Sequence, residues 1–551
     1  MHSRKTIGWL AWTAMAMAGA APGCAGGAVE GTRTDDEVVA ASGQGTAPAN
    51  VPDLARGREL FAAYCAACHG DAGRGDGKAA YLLSPAPRDF GSTRFRLVST
   101  LNGAPTDEDL VAVLRRGMPG SAMPPWEWMA ASDLSSLAAL VRELAIQGRA
   151  DDLVRSAEED EEELSREEAL EIATRAMTPG DPIPIPPECA GGAADLQEGR
   201  RLFVRNCASC HGSDGTGHGV ADQVNEDGTP ASPRDFTAGI FKGGSGYADI
   251  VRRLTAGLPG SSMPATEFRR PEEVAWLAAY VQSLVEPGAQ ERVSQARLHL
   301  RARRLERLPA DAADPAWSEV EATWLPLMPL WWREPRIEGC VLRAAHDGES
   351  LAVRLTWEDP ARDDDLLGQD SFSDAAALQL SREENPPLFT MGEPGHPVNI
   401  WQWRAGWELD LAEVRGVTAR HPFTPPDMYG HVDEPSAPLY LTARAAGNAM
   451  ASPVRASPAE MLTAEGFGTL QPVRAAPGEL AARGAWSDGF WELVLTRPLE
   501  ACCPGELPLE PGATIHLAAA VWDGAARDRN GQKAVTVWHV LELDEQGDHE
   551  R

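Results

Sequence analysis

LARGRELFAAYCAACHGDAGRGDG, residues 54–77, returns later in the chain as LQEGRRLFVRNCASCHGSDGTGHG, residues 196–219. The likeness continues beyond those stretches: SPAPRDF (84–90) returns as ASPRDF (231–236), and LRRGMPGSAMP (114–124) as LTAGLPGSSMP (254–264). Each copy closes on apolar residues at helical spacing, in SDLSSLAALVRELA and PEEVAWLAAYVQSLV. A chain that repeats itself over such lengths builds one unit twice, and the pattern predicts two similar helical domains of roughly 95 residues.

Each copy contains Cys-x-x-Cys-His: Cys65, Cys68 and His69, then Cys207, Cys210 and His211. Two thiols three residues apart at a helix end form thioethers to both vinyl groups of one heme, and the adjacent histidine is then an axial ligand. A lone motif of this kind also suits zinc or thiol redox chemistry. Two copies, each followed by Gly-rich sequence and a Met-Pro element, favour covalent heme c. The repeat also selects a sixth ligand. Met123 is matched by Met263, whereas Met118 is matched by Leu258, so Met123 and Met263 are the candidates and Met118 is packing. His218 is a lesser rival in the second copy. Both units resemble class I cytochrome c. That resemblance implies an all-α fold with a low-spin His/Met iron, suited to electron transfer rather than substrate chemistry.

The first 24 residues, MHSRKTIGWLAWTAMAMAGAAPGC, read as an export signal, with basic Arg4 and Lys5 ahead of a short apolar run. AGA at 18–20 suits ordinary signal peptidase. APGC at 21–24 resembles a lipobox and is favoured by the flexible tether that follows, which predicts lipidation of Cys24 and a periplasmic protein anchored to the outer membrane. No later segment is long and apolar enough to span a bilayer. The formal charge of −31, from 81 acidic against 50 basic residues, argues against nucleic acid as a partner. Between the repeats, AEEDEEELSREEALEIATRAM (157–177) is either a solvated helix or a surface that steers a basic redox partner, and TPGDPIPIPPE (178–188) is a stiff spacer.

After about residue 290 the texture changes. QERVSQARLHLRARRLERL reads as a charged connecting helix, and then period-two alternation takes over: Leu351, Val353, Leu355 and Trp357 fall on one face of SLAVRLTWED, while FWELVLTRPL and TIHLAAAVWDG alternate similarly. An antiparallel β-sandwich of about 235 residues is expected. The predicted organisation is a signal (1–24), a tether (25–53), a first cytochrome c domain (54–149), an acidic and Pro-rich linker (150–193), a second cytochrome c domain (194–288), a connecting helix (289–309) and an all-β sandwich (310–545).

SDAAALQLSREENPPLFTMGEPGHPVNIWQWRA (373–405) and AAAVWDGAARDRNGQKAVTVWHVLEL (518–543) carry a second resemblance. It is to the heme b-binding (gamma) subunit of ethylbenzene dehydrogenase and its relatives in dimethyl sulfide dehydrogenase and the selenate and chlorate reductases. The resemblance implies one noncovalent heme b held between a methionine, Met391, and a lysine, Lys533. It further implies an electron-relaying, non-catalytic subunit that docks on the iron–sulfur and molybdopterin subunits of a dimethyl sulfoxide reductase family complex. His396 and His539 are fallback ligands. The chain has four lysines, Lys5, Lys78, Lys242 and Lys533, and arginine elsewhere. A lysine supplies what guanidinium cannot, an amine able to lose its proton and donate a lone pair. Two other readings stay open: a free-standing cytochrome relay, and a carbohydrate-binding sandwich using the aromatics of NIWQWRAGW (399–407). Of the remaining cysteines, Cys189, Cys340, Cys502 and Cys503, a disulfide between Cys340 and Cys502 or Cys503 is the suggested pairing.

Overall fold

A computed structural model describes residues 51–545 apart from 220–222, 367, 369, 388–389, 413–422, 424–456 and 474–478. Cys24, the export signal and most of the tether lie outside the described residues.

The first helical region contains α1 (Leu54–Tyr64), the short α2 (Ala66–His69), α3 (Asp107–Arg116), α4 (Ala131–Glu159) and α5 (Arg166–Ala176). The starts of α1, α3 and α5 are written locally. The Asp53 carboxylate accepts the Ala55 and Arg56 N–H groups at the head of α1, while Thr106 with Asp109, and Ser165 with Glu168, form reciprocal caps on α3 and α5. Leu60, Phe61, Leu134, Leu137 and Leu140 make the core between α1 and α4. The acidic stretch is helical: α4 runs on through 150–159, and α5 packs back on it through Ala150, Ala169 and Ala173.

The second helical region repeats the plan with α6 (Ala193–Asn206), α7 (Ala208–His211), α8 (Tyr247–Ala256), α9 (Pro271–Ser283) and the short α10 (Ala289–Val293). Its core is Leu202, Phe203, Val251, Leu277 and Ala278. Gly57 and Gly199 hold equivalent places. A Cβ on Gly57 would stand 2.6 Å from the Ser136 carbonyl oxygen, and one on Gly199 would stand 2.2 Å from that of Trp276, so each glycine lets two helices cross in backbone contact.

The rest is one mixed sheet of 14 strands among the described residues. They are β1 (His299–Arg304), β2 (Thr323–Pro326), β3 (Met328–Pro329), β4 (Gly339–His346), β5 (Ser350–Glu358), β6 (Ala375–Ser381), β7 (Val398–Arg404), β8 (Ala459–Ala464), β9 (Gln471–Pro472), β10 (Ala481–Ser487), β11 (Phe490–Pro498), β12 (Thr514–Trp522), β13 (Ala534–Val535) and β14 (His539–Leu543). A single helix, α11 (Ala405–Ala412), follows β7. The main path is β10-β11-β5-β4-β1-β14-β12-β6-β7-β8-β9. The sheet folds over itself, because residues from both halves share one core: Leu342, Val353, Leu355 and Leu493 from one, Leu378, Leu380, Trp401 and Val521 from the other.

Three expectations need correction. The charged passage at 289–309 is not a connecting helix: after α10 it becomes β1, whose Leu300 and Ala302 are buried while Arg301 and Arg303 turn outward. Those residues alternate with period two, and pairing with β14 and β4 on either side outweighs the helix-forming character of its arginines. The sheet is not purely antiparallel, since β1 runs parallel to both neighbours. The suggested disulfide is not formed: Cys340 is fully buried in the sandwich core, while the Cys502 sulfur lies 2.9 Å from that of Cys503.

At one end of the sheet Asp359, Asp374 and Asp523 bring carboxylate oxygens within 4.8 Å of one another. Burial, followed by the charge of Asp523, pushes Asp359 up to about 7, and burial followed by the charge of Asp359 pushes Asp374 up to about 8. The folded chain therefore holds protons that the unfolded chain releases near pH 4. Their stabilising contribution is complete below that pH and is lost as pH rises through 7 to 8. The expected outcome is a thermal midpoint that falls between pH 5 and 9, with a shallower fall in Asp359→Asn. Equal slopes in the two proteins would refute this account.

Candidate heme-binding sites

Both Cys-x-x-Cys-His segments sit at the turn from a long helix into a one-turn helix. The Cys65 N–H donates to the Phe61 carbonyl and the His69 N–H to the Cys65 carbonyl; Cys207 and His211 repeat this with Phe203 and Cys207. His69 places Nδ1 3.2 Å from the Arg88 carbonyl oxygen, and His211 places Nδ1 3.2 Å from that of Arg234. An Nδ1–H donated to a carbonyl fixes the tautomer and leaves Nε2 to carry the lone pair. Burial lowers both imidazoles, the first and largest cause in each, and so favours the neutral ring. Phe90 stacks on His69 at 4.8 Å and Phe236 on His211 at 4.4 Å, which holds both rings in place.

Each segment opens on an apolar cavity. The first, of about 160 Å³, is lined by Cys65, Cys68, His69 and Met123 together with Leu114 and Trp126. The second, of about 710 Å³, is lined by Cys207, Cys210, His211 and Met263 together with Phe203 and Ile250. Two thiols, a neutral imidazole and a thioether on the walls of one apolar cavity fit a covalently attached heme, and the fit holds in both copies. Met118 and Leu258 line the same cavities. The loops are superposable in their bonding, with the Met118 N–H on the Met123 carbonyl at 3.0 Å and the Leu258 N–H on that of Met263 at 3.0 Å. His218 is exposed and lies 3.4 Å from the Thr216 hydroxyl.

In the sandwich, Met391 and Lys533 meet the same face of the sheet. Ala375, Ala377, Val398, Ile400, Ala518 and Trp522 form an apolar cluster on the side opposite the central core, and Met391 packs against it. Val535 pairs with Ala520, and Lys533, two residues earlier, shares that side: its Nζ stands 4.8 Å from the Trp522 ring centroid. The small alanines keep this face apolar, and a thioether and an amine beside it are a donor set that suits a heme. Lys533 keeps some contact with solvent, yet protein packs densely around its amine. That loss of hydration governs its proton and pulls its pKa down to about 8, which favours the neutral, lone-pair-bearing form. Met391 has φ of +60°. A side chain other than glycine rarely accepts this region, at a cost of about 1–2 kcal/mol, and such strain clusters at functional positions.

The fallback histidines sit elsewhere. His396 is exposed, with Nδ1 2.9 Å from a Glu383 carboxylate oxygen. His539 pairs with Leu517, a residue of the central core, so it faces away from the Met391 surface, and its Nδ1 accepts the Leu298 N–H at 3.1 Å. Trp401, Trp403 and Trp407, on which a carbohydrate platform would depend, are at most 1% exposed. β7 is paired on both sides, by β6 and β8, and its tryptophans fill the interior.

Residues 196–285 match the cytochrome c family, residues 52–141 match the family of cytochrome C oxidase, cbb3-type, subunit III, and residues 314–422 and 427–534 match the ethylbenzene dehydrogenase family. The chain joins cytochrome c domains to an ethylbenzene dehydrogenase gamma-like domain. A Haloferax mediterranei protein described as a respiratory nitrate reductase heme subunit is 26% identical over 238 residues, covering 42% of this chain and 67% of that protein. The chlorate reductase subunit gamma of Ideonella dechloratans is 26% identical over 243 residues, covering 42% of this chain and 80% of its own. The dimethylsulfide dehydrogenase subunit gamma of Rhodovulum sulfidophilum is 27% identical over 198 residues, covering 36% of this chain and 57% of its own. The cytochrome c and ethylbenzene dehydrogenase matches imply heme binding, and the donors described above lie within the matched residues.

What sequence reasoning missed is the reach between domains. Lys242, read only as one of the rare lysines, lines both helical cavities, as does Arg96. The signal was present in the alignment of the two repeats, whose cations fall at matching positions.

Two tests follow. Met123→Ala and Met263→Ala should each keep covalent heme while opening one iron to exogenous ligands and lowering its potential, whereas Met118→Ala should do neither; ligand-binding spectra and redox titration read the result. Lys533→Arg keeps the charge but offers no lone pair. A surface lysine would tolerate it to within about 0.5 kcal/mol. As a ligand, its loss should remove or change the spin state of a b-type heme while c-type spectra persist and circular dichroism shows a folded sandwich.

Proposed function

We propose that this chain is the electron-transferring cytochrome subunit of a multi-subunit oxidoreductase, with two c-type sites and one b-type site. The first c-type site uses Cys65, Cys68, His69 and Met123, the second Cys207, Cys210, His211 and Met263, and the b-type site Met391 and Lys533. A heme held on both faces by protein ligands exchanges single electrons and has no open coordination position for substrate.

The observation that carries this reading is a contact. Cys68 and Ala520 pack against one apolar cluster of Leu83, Ala122, Met328, Leu330 and Val535, so the first c-type site and the sheet face beside Lys533 share a core. The backbone continues the link: the Leu330 N–H donates to the Lys533 carbonyl at 2.9 Å, and the Leu330 carbonyl accepts the Ser84 N–H at 3.0 Å. Leu83, Pro85 and Ala86, on either side of Ser84, line both helical cavities. The first repeat's site thus lies beside the sandwich site, and Trp331 and Trp332 of the sandwich also line the second repeat's cavity. Apolar side chains keep water from the path, which lowers the reorganisation that charge movement requires.

The gamma subunits among the relatives support a partner of the same kind, an iron–sulfur subunit serving a molybdopterin enzyme of the dimethyl sulfoxide reductase family. The sandwich would receive or deliver electrons there, and the second repeat would exchange them with a further redox protein. The signal-like N-terminus supports action in the periplasm, with a lipid on Cys24 as the membrane attachment.

Cofactor count tests the core of this reading. Acid–acetone extraction followed by a pyridine hemochrome assay on fully matured protein should give two covalent hemes and one extractable heme per chain. A preparation that yields no extractable b-type heme would sink the three-site assignment.

A further inference from the structure

The repeats align beyond their shared motifs. Arg88, Phe90, Phe95 and Arg96 in the first correspond to Arg234, Phe236, Phe241 and Lys242 in the second. The structure keeps the correspondence: Phe90 stacks with Phe95 at 11° between planes, and Phe236 with Phe241 at 14°. Each pair of rings ends on a cation, Arg96 or Lys242, and each cation lines the opposite repeat's cavity as well as its own.

The other two cations also cross over. Arg234 donates to the Gly120 carbonyl of the first repeat. A Cβ built on Gly260 in the second repeat would stand 3.4 Å from an Arg88 guanidinium nitrogen. Gly120 and Gly260 are themselves equivalent, so the exchange is reciprocal. The seam is held by neutral acceptors as well, since Arg253 donates to the Arg96 and Val98 carbonyls.

Four cations thus gather where two apolar cavities meet, and none of them makes an ion pair among the described residues. Arg234 is 6% exposed, and its Nε and one terminal nitrogen have no hydrogen-bond partner among the described residues; the buried Arg96 Nε has none either. Asp227 and Asp89 act on Arg88, Asp227 on Arg96 and Glu334 on Arg234, and the Arg234 guanidinium lies 3.8 Å from the Trp332 ring centroid, but none of these carboxylates forms an ion pair with the four. Burying positive charge without anions is costly, and cations that crowd together raise the cost. The arrangement therefore calls for several carboxylates brought by something the cavities hold.

We propose that Arg88, Arg96, Arg234 and Lys242 form one anion-binding seam shared by both c-type sites, which takes the propionate carboxylates of both hemes, Arg96 and Lys242 each serving the opposite repeat as well as its own. The inference rests on the c-type assignment made above. Each heme brings two carboxylates, so four anionic groups meet four cations. Lys242 is pulled well below its ordinary pKa by burial and then by Arg234, Arg96 and Arg88, the response of an amine whose neighbours await neutralisation. A cation standing between two sites acts on both, because it disfavours the extra positive charge of either ferric iron.

The test is a potentiometric titration of the full-length holoprotein, followed at the c-type absorption bands. In a Met263→His background the second site's wave is displaced to lower potential, which identifies it. Lys242→Gln should move both c-type waves to lower potential, and Lys242→Arg should restore both, with heme content and circular dichroism unchanged. Movement of the second repeat's wave alone, or of neither, would overturn the shared seam. The hemochrome assay on the wild-type sample separates the two claims: absence of covalent heme there would overturn the c-type assignment itself, whereas two covalent hemes with unmoved waves would overturn only the seam.

Discussion

The hydrogen bonds of Ser84 are the joint on which the arrangement turns. Its N–H donates to the Leu330 carbonyl and its carbonyl accepts the Trp332 N–H at 2.7 Å, so a loop of the first helical region runs as a short parallel partner beside Trp331 of the sandwich. Leu82 follows it in, against Gly531, where an added Cβ would stand 2.5 Å from a leucine methyl. Backbone bonds fix register in a way that apolar contact alone does not. With the register set, the Cys68 thiol and the Lys533 loop cannot drift apart, and the two repeats then share the loop's other side.

Much of this was legible in the sequence because it depended on local pattern. The helices of the repeats follow from apolar spacing and caps such as Thr106 and Ser165, and Cys-x-x-Cys-His announced its chemistry by spacing alone. Lys533 stood out by chemistry too, as one of four lysines in a chain that uses arginine for its other basic side chains. What local pattern does not contain is the identity of the partner. β1 is written in arginines, and it is a strand because β4 and β14 leave it a central gap. Trp401 and Trp403 look like an exposed platform until β6 and β8 are seen on either side. The crossing of Arg96 and Lys242 between cavities needed the packing of one repeat on the other, which no single motif encodes.

The two kinds of site also solve one problem in different ways. Under the proposed assignment both use a neutral nitrogen donor in apolar surroundings. The helical sites obtain it with histidine, fixed by the Arg88 and Arg234 carbonyls and by stacked phenylalanines. The sandwich has a lysine instead, whose amine is brought toward neutrality by the protein around it. Histidine needs little help, since its ordinary pKa is already low. Lysine needs a well-packed sheet, so its site depends more on tertiary structure.

The reciprocal crossing of Arg96 and Lys242 between cavities bears on how the chain can be dissected. A duplicated domain ordinarily remains a separable module, and either copy can be lost or swapped with little harm. Here each copy has its cationic residues in the other's wall, so excising one would leave a hole in the lining of its neighbour. Both copies belong to one compact unit, Asn50–Arg551.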